Sequence, residues 1–583
     1  MDAERAPAHE TGWTRMARRS RFAAWMMAGL LVSSTALAQS SDELASDDAV
    51  ANGEEGAFEF SDEGADEASA APVADDMNAG YVAPDRSGEA SSPEIERGVA
   101  AARAGDSLGA SQAFYEAMLN ADPGTPLAQR AQFELTRALA DMGLLYGARI
   151  ILDEIIDEGA AHPYFQDASS TMITVARRLP GDGEVLDRVS AFAELFPDKI
   201  EPKYRDEYAY LLGEHFYGIG ELDTAVDYLR VVSPDSDLYA RSLFLSAITH
   251  VRRYDADNAA EDLKALLRLV EGSRGAQRQR LLPYGELARI TMARMYYSTG
   301  EYDKAINYYS DIGQKNAYWL DALFESSWAY FQTDEFNRAL GNLHSLNSPF
   351  FNDQYYPEAP ILQAVIFFYN CQFDQVRLAL DEFQFVYAPL RDELQITIDG
   401  FLTDQEAYEF LRDARSRSGD NRKFDARLQQ IVDAALGDTV LSSSLAFVGQ
   451  LEKEVKFIDD APEAWSKSEL GDFLYTETVG QLALSRDGAG SLVRSRLSTV
   501  LSELQQKERE SSAILVETDL AEANALSDNV AKELAASTAT GAEESTKVHS
   551  EQMVWRFDGE YWRDELGYYS YHIASQCRAA DVD

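Results

Sequence analysis

The stretches MARMYYSTGEYDKAINYY (292–309) and SSWAYFQTDEFNRALGNL (326–343) are one pattern written twice, 34 residues apart. Tyr296 maps onto Tyr330, Tyr297 onto Phe331, Tyr302 onto Phe336 and Ala305 onto Ala339. LGEHFYGIGELDTAVDYL (212–229) carries the same frame in Gly213, Phe216, Gly220, Leu222 and Ala225, and Ala225 to Ala259 is again 34. A period of this size marks a supersecondary unit that buries its apolar face by stacking on copies of itself. Each position has a physical reason. A small residue (Gly213, Ala247, Ala293) lets a first helix approach a second closely, and a glycine (Gly105, Gly143, Gly220, Gly300) allows the left-handed turn between them. The anchor alanine sits where two helices cross, and aromatics fill the groove between successive hairpins.

This frame resembles the tetratricopeptide repeat. Anchors at Ala110, Ala148, Ala225, Ala259, Ala305, Ala339 and Val376 suit hairpins of 34 to about 46 residues, with room for a degenerate one around 165–200. EGSRGAQRQR (271–280) and NSPFFNDQYYPEAP (347–360) read as insertions. The consensus Trp opening the first helix is missing, with Arg289 and Leu323 as examples. The resemblance covers about 320 residues and implies an all-α, TPR-like solenoid over 94–420 that holds protein or peptide partners in its groove.

The N-terminus reads as an export signal. Arg15, Arg18, Arg19 and Arg21 precede the apolar run FAAWMMAGLLV, and Ala36-Leu37-Ala38 offers a cleavage site before Gln39. Met16 can serve as the start as well as Met1. The apolar run is too short to span a bilayer, and no other segment is long and apolar enough. The expected mature protein is exported, periplasmic or cell-envelope associated in a bacterium, with no transmembrane span after signal removal. Residues 39–93 carry 15 acidic groups against Arg86 alone, a composition that cannot offset its ordering entropy and predicts disorder. The formal charge of −47 excludes nucleic acid as a main partner, since that binding rests on Lys and Arg displacing counterions.

Beyond 421 the pattern changes. The sequence predicts a helix over 438–459, a second over 464–485, a turn at RDGAG (486–490), and a third over 491–535. Val493, Leu497, Val500 and Leu504 form a seam that Lys507 and Ser511 interrupt. This reads as a long antiparallel, coiled-coil-like hairpin over 421–536, weakly packed at its far end. Residues 537–550 form a linker. In the aromatic segment 551–583, Asp558 can cap a helix that aligns Trp562, Leu566, Tyr569 and Ile573 on one face. Such a face is expected to dock on the repeats near 320–375, or to bind a partner.

Searches for chemistry return little. There is no GxxxxGK[ST], HExxH or GxSxG, and the seven His are scattered. No catalytic, cofactor or metal site is expected. Cys371 and Cys577 are the only thiols; they can pair, closing a loop of about 200 residues worth roughly 5 kcal/mol by chain entropy, or Cys371 can simply be buried. Residues 284–390 hold 24 of the 63 aromatics. Phe350, Phe351, Tyr355 and Tyr356, in an insertion, either lid the solenoid or touch a partner.

The repeats, the long hairpin and the aromatic C-terminal block together are similar to tetratricopeptide proteins of myxobacteria and their relatives, some tied to adventurous gliding motility. YYPEAPILQAVIFFYNCQFD and FDGEYWRDELGYY carry that likeness. It implies a non-enzymatic scaffold in an envelope assembly. An envelope enzyme acting on peptidoglycan, or its activator, is an alternative, as is a structural spacer that forms a homo-oligomer through 438–535.

Overall fold

The computed structural model describes residues 89–533 and 557–577, apart from 180, 182, 197, 352–353, 417–427, 430, 433–438, 558 and 574. The signal peptide with Ala38 and Gln39, the acidic segment to 88, the linker 537–550 and the cap Asp558 lie outside the described residues. Among the described residues, all regular structure is helical.

Helices pair in chain order: α1 (Pro93–Arg103) with α2 (Ser107–Asn120), α3 (Pro126–Asp141) with α4 (Leu145–Glu158), α5 (Phe165–Arg178) with α6 (Gly183–Ser190). The series continues with α7 (Arg205–Ile219) and α8 (Leu222–Leu229), then α9 (Tyr239–Arg252) and α10 (Ala256–Gly272). Three further pairs follow: α11 (Gly275–Ser298) with α12 (Tyr302–Ser310), α13 (Trp319–Gln332) with α14 (Phe336–Leu346), and α15 (Glu358–Tyr369) with α16 (Phe373–Asp399). The fold is a tetratricopeptide-like array of helical hairpins.

The turn chemistry explains the register. Five residues before each anchor, the backbone takes positive φ: Gly105, Gly143, Gly220, Tyr254, Gly300, Asp334 and Cys371. The next amide donates to a carbonyl five residues upstream, as Glu301 does to Tyr296 at 2.8 Å, Glu335 to Tyr330 at 2.8 Å and Gln372 to Phe367 at 3.0 Å. That bond ends the first helix and aims the second back along it. A side chain in this conformation costs about 1–2 kcal/mol, so Tyr254, Asp334 and Cys371 stand where glycine would be easier. Every anchor is fully buried, Ala225, Ala259, Ala305, Ala339 and Val376 included. A Cβ on Gly213 would meet Leu229 at 2.6 Å, which is why that helix needs a glycine at the crossing. Phe216 stacks on Tyr228, Tyr296 on Tyr308, while Tyr302 meets Tyr297 and Phe336 meets Phe331. Tyr330 is buried.

The described residues form two compact units, one from 89–269 with 439–478, the other from 270–432 with 479–577. In the first, α18 (Thr439–Asp460) and α19 (Glu463–Ser466) return to the early hairpins. Trp465 is buried and its indole N–H donates to Ser111 Oγ at 3.0 Å. Glu454 accepts the amides of Tyr146 and Gly147 at 2.9 and 3.4 Å, placing a carboxylate on the N-terminus of α4. Burial raises its pKa against those bonds.

Three expectations are corrected. First, the turn at 486–490 does not form: α20 runs unbroken from Glu469 to Glu533. Gly490 serves packing instead, because a Cβ there would overlap the Asp404 carbonyl at the start of α17 (Asp404–Ser416). There is therefore no long antiparallel hairpin; 439–478 belongs to the first unit and the rest of α20 to the second. Second, the seam of α20 does not stop at Lys507. Val493, Leu497 and Leu504 are buried; Leu501 takes the place expected for Val500, which is half-buried, and Ser511, Ile514 and Thr518 beyond Lys507 are buried too. Lys507 stays in the seam because it bridges Glu358 at 2.5 Å and Glu510 at 3.3 Å. Third, the extra residues at 271–280 do not form a loop: they lengthen α10 to Gly272 and start α11 at Gly275, which accounts for the wide spacing from Ala259 to Ala305.

Candidate interaction site

Residues 557–577, hereafter the strap, are not the expected helix. They form an extended path with one tight turn, in which Glu565 donates to Trp562 and Tyr568 to Glu565, both at 3.0 Å. Gly559 and Gly567 take φ of 92° and 85°, which removes them from any helix. Amides that a helix would satisfy internally bond to the repeats instead. Gly567 N–H donates to Ser345 Oγ at 2.9 Å, Tyr571 N–H to the Asn337 carbonyl at 3.0 Å, Ile573 N–H to Asn337 Oδ1 at 2.9 Å, and Gln576 N–H to the Asn370 carbonyl at 2.9 Å. Gln314 donates its side-chain amide to the Leu566 carbonyl at 2.8 Å.

The path follows a row of small and polar residues on α14. Asn337, Gly341 and Ser345 repeat every four residues and so share one face. A Cβ on Gly341 would overlap the Tyr569 carbonyl, so the strap rests directly on helix backbone. Of the face expected for a helix, Leu566 is buried (2% exposed) but Trp562 is 61% exposed; Tyr569 and Ile573 are half-buried. The path ends at the α15–α16 turn, where Cys577 is joined to Cys371 with Cα atoms 5.1 Å apart.

His344 anchors the middle. Rings of Phe557, Tyr561 and Tyr569 surround it at centroid distances of 4.5, 4.8 and 5.0 Å, and Tyr561 Oη lies 3.4 Å from Nδ1. Burial lowers the His344 pKa below its ordinary value of 6.5. The docked state therefore favours neutral imidazole. Stability from this site is complete above about pH 6.5 and is lost as pH falls from there to the lowered folded value. Melting temperature measured from pH 7 to pH 5 is expected to fall more steeply in the native chain than in His344→Phe. Equal slopes would remove His344 from the account.

The same unit holds a buried polar cluster. Arg294 of α11 meets Glu325 of α13 in a forked pair, Nε at 3.1 and 3.0 Å and Nη2 at 2.7 Å. Tyr309 donates to the same carboxylate at 2.9 Å, and Tyr356 to Asp321 at 2.7 Å. Burial opposes the Arg294 charge, but Glu325 and Asp321 outweigh it and hold the group above its ordinary range. Burial, then the nearby Glu325, raises the Asp321 pKa. Of the insertion aromatics, Tyr355 meets Tyr387, Phe351 meets Trp319, and Tyr356 turns inward, while Phe350 stays half exposed beneath the Arg563 guanidinium.

Sequence reasoning missed His344, Asn337, Gly341, Ser345 and the Arg294–Glu325 pair. The small-residue spacing on α14 was the available signal, since a glycine inside an exposed helix costs up to about 1 kcal/mol and needs a packing reason. No group of His, Cys, Asp and Glu among the described residues could hold a metal ion.

No family model and no curated protein matches the chain. Solved structures that match include a tetratricopeptide repeat protein from Parabacteroides merdae, 13% identical, spanning 50% of this chain and 91% of that one at a TM-score of 0.24. At that score the likeness decides nothing; the hairpins and their turns carry the fold.

Proposed function

We propose that the chain is a non-enzymatic scaffold that holds a protein or peptide partner on its repeats within a bacterial envelope assembly. One observation carries this reading: the hairpins already hold an extended segment, by main-chain hydrogen bonds to α14, Asn370 and Gln314 and by rings around His344. A surface that accepts main-chain amides along a small-residue row suits any extended peptide with spaced aromatics. The arginine-led apolar run before Ala38 supports export, and a bonded cysteine pair suits an oxidising compartment.

Affinity capture from envelope extracts with the mature chain, followed by reciprocal capture with each identified protein, tests the proposal. A specific partner retained in both directions is expected. Retention of none, together with cell-wall cleavage by the purified chain, would overturn it.

A further inference from the structure

We infer that the strap is a self-ligand latched by the Cys371–Cys577 disulfide, and that thiol exchange opens its path to an extended, aromatic peptide from another protein. The inference rests on the scaffold reading and names both the partner chemistry and its control.

Three observations support it. The strap touches the repeats as a bound peptide would, through spaced main-chain bonds at Ser345, Asn337 and Asn370 and rings around His344. Its end at Cys577 is fixed to the repeats by a disulfide. The anchoring cysteine occupies the left-handed position of the α15–α16 turn, at φ 54°, where other hairpin turns carry glycine, and its sulfur is bonded to the strap.

The tether arithmetic explains why a bond is needed. A segment tethered to its groove within one chain competes with outside peptides as if present at roughly millimolar concentration. That is a barrier a tight partner can overcome. The closed disulfide makes the strap undisplaceable at its end, so only the opened form is selectable.

The opening step balances. Both cysteines are half-buried residues rather than enclosed ones. A thiolate of a dithiol donor attacks Cys577 Sγ, and the S–S electron pair leaves on Cys371 Sγ, which takes a proton. The donor's second thiolate then attacks its own sulfur in the mixed disulfide and releases Cys577. Two electrons and two protons reach the protein, and the donor becomes a disulfide.

The test uses the full chain, oxidised or reduced by a dithiol, and a fluorescent synthetic peptide of residues 557–577 carrying Cys577→Ser. Anisotropy should show no binding to the oxidised chain, and to the reduced chain saturable binding centred near the roughly millimolar concentration that the tether imposes, at least about tenfold tighter than any to the oxidised form. Full-length Cys577→Ser should behave as the reduced chain without added dithiol. Gly341→Ala in the reduced chain should abolish binding, because its methyl occupies the path. Equal binding by both redox forms overturns the latch. Binding that Gly341→Ala leaves intact places the peptide elsewhere and also overturns it. Loss of helicity on reduction makes the bond a staple and overturns it too. If the peptide fails but envelope capture retains a partner regardless of redox state, the scaffold reading stands and the latch falls. If exchange works and capture is empty, only the scaffold reading falls.

Discussion

Glu325→Ala is expected to destabilise the second unit by about 3–5 kcal/mol, the largest single effect among the polar residues. The substitution strips a largely buried guanidinium of its forked partner and leaves the Tyr309 hydroxyl without its acceptor. Asp321, one turn earlier on α13, is already engaged by Tyr356 and can recover only part of the loss. The cost lies in the orphaned charge rather than in the pair itself. Replacing both members, Arg294→Met with Glu325→Met, should therefore restore most of the stability. Denaturant midpoints of the two variants against the native chain decide the matter. A loss under about 1 kcal/mol for Glu325→Ala would mean that the cluster is effectively solvated.

Gly341→Ala should have the second largest effect, and it should fall on the strap alone. Alanine improves helix propensity by up to about 1 kcal/mol at this position. Yet the added methyl overlaps the Tyr569 carbonyl, which no rotamer can relieve. The strap must lift, exposing Leu566 and the rings on His344, a loss of about 2–4 kcal/mol by side-chain burial. Hydrogen exchange should report lost protection at Gly567, Tyr571 and Ile573, with α14 itself as protected as before or more so. Retained protection in the strap would show that it does not depend on contact with that helix.

These two residues illustrate what was legible. The repeat frame could be read because it depends on neighbours within one hairpin: a small residue at the crossing, a left-handed turn, an alanine anchor, aromatics in the groove. The same local reading went wrong where glycine carried more than one meaning. At 486–490 the glycines looked like a turn, but Gly490 served a close approach to Asp404 while Gly488 faces open space. At 559 and 567 they look like minor defects in an amphipathic helix, but their positive φ removes the helix altogether. The strap's spacing of Trp562, Leu566, Tyr569 and Ile573 fitted a helical face, and only Leu566 is fully buried.

What the sequence alone determined is the class of fold, the turn positions and the anchors, because each is set by backbone sterics and packing within a few tens of residues. The tertiary structure decided the rest. It chose the continuous course of α20, with Lys507 kept in its seam by Glu358, and the extended form of the strap. It also joined Cys371 to Cys577 across 206 residues and paired Arg294 with Glu325 on neighbouring hairpins. The physical reason is common to all of these. A buried amide, charge or thiol is satisfied by whichever surface the finished array leaves open, and that surface exists only once the repeats have stacked.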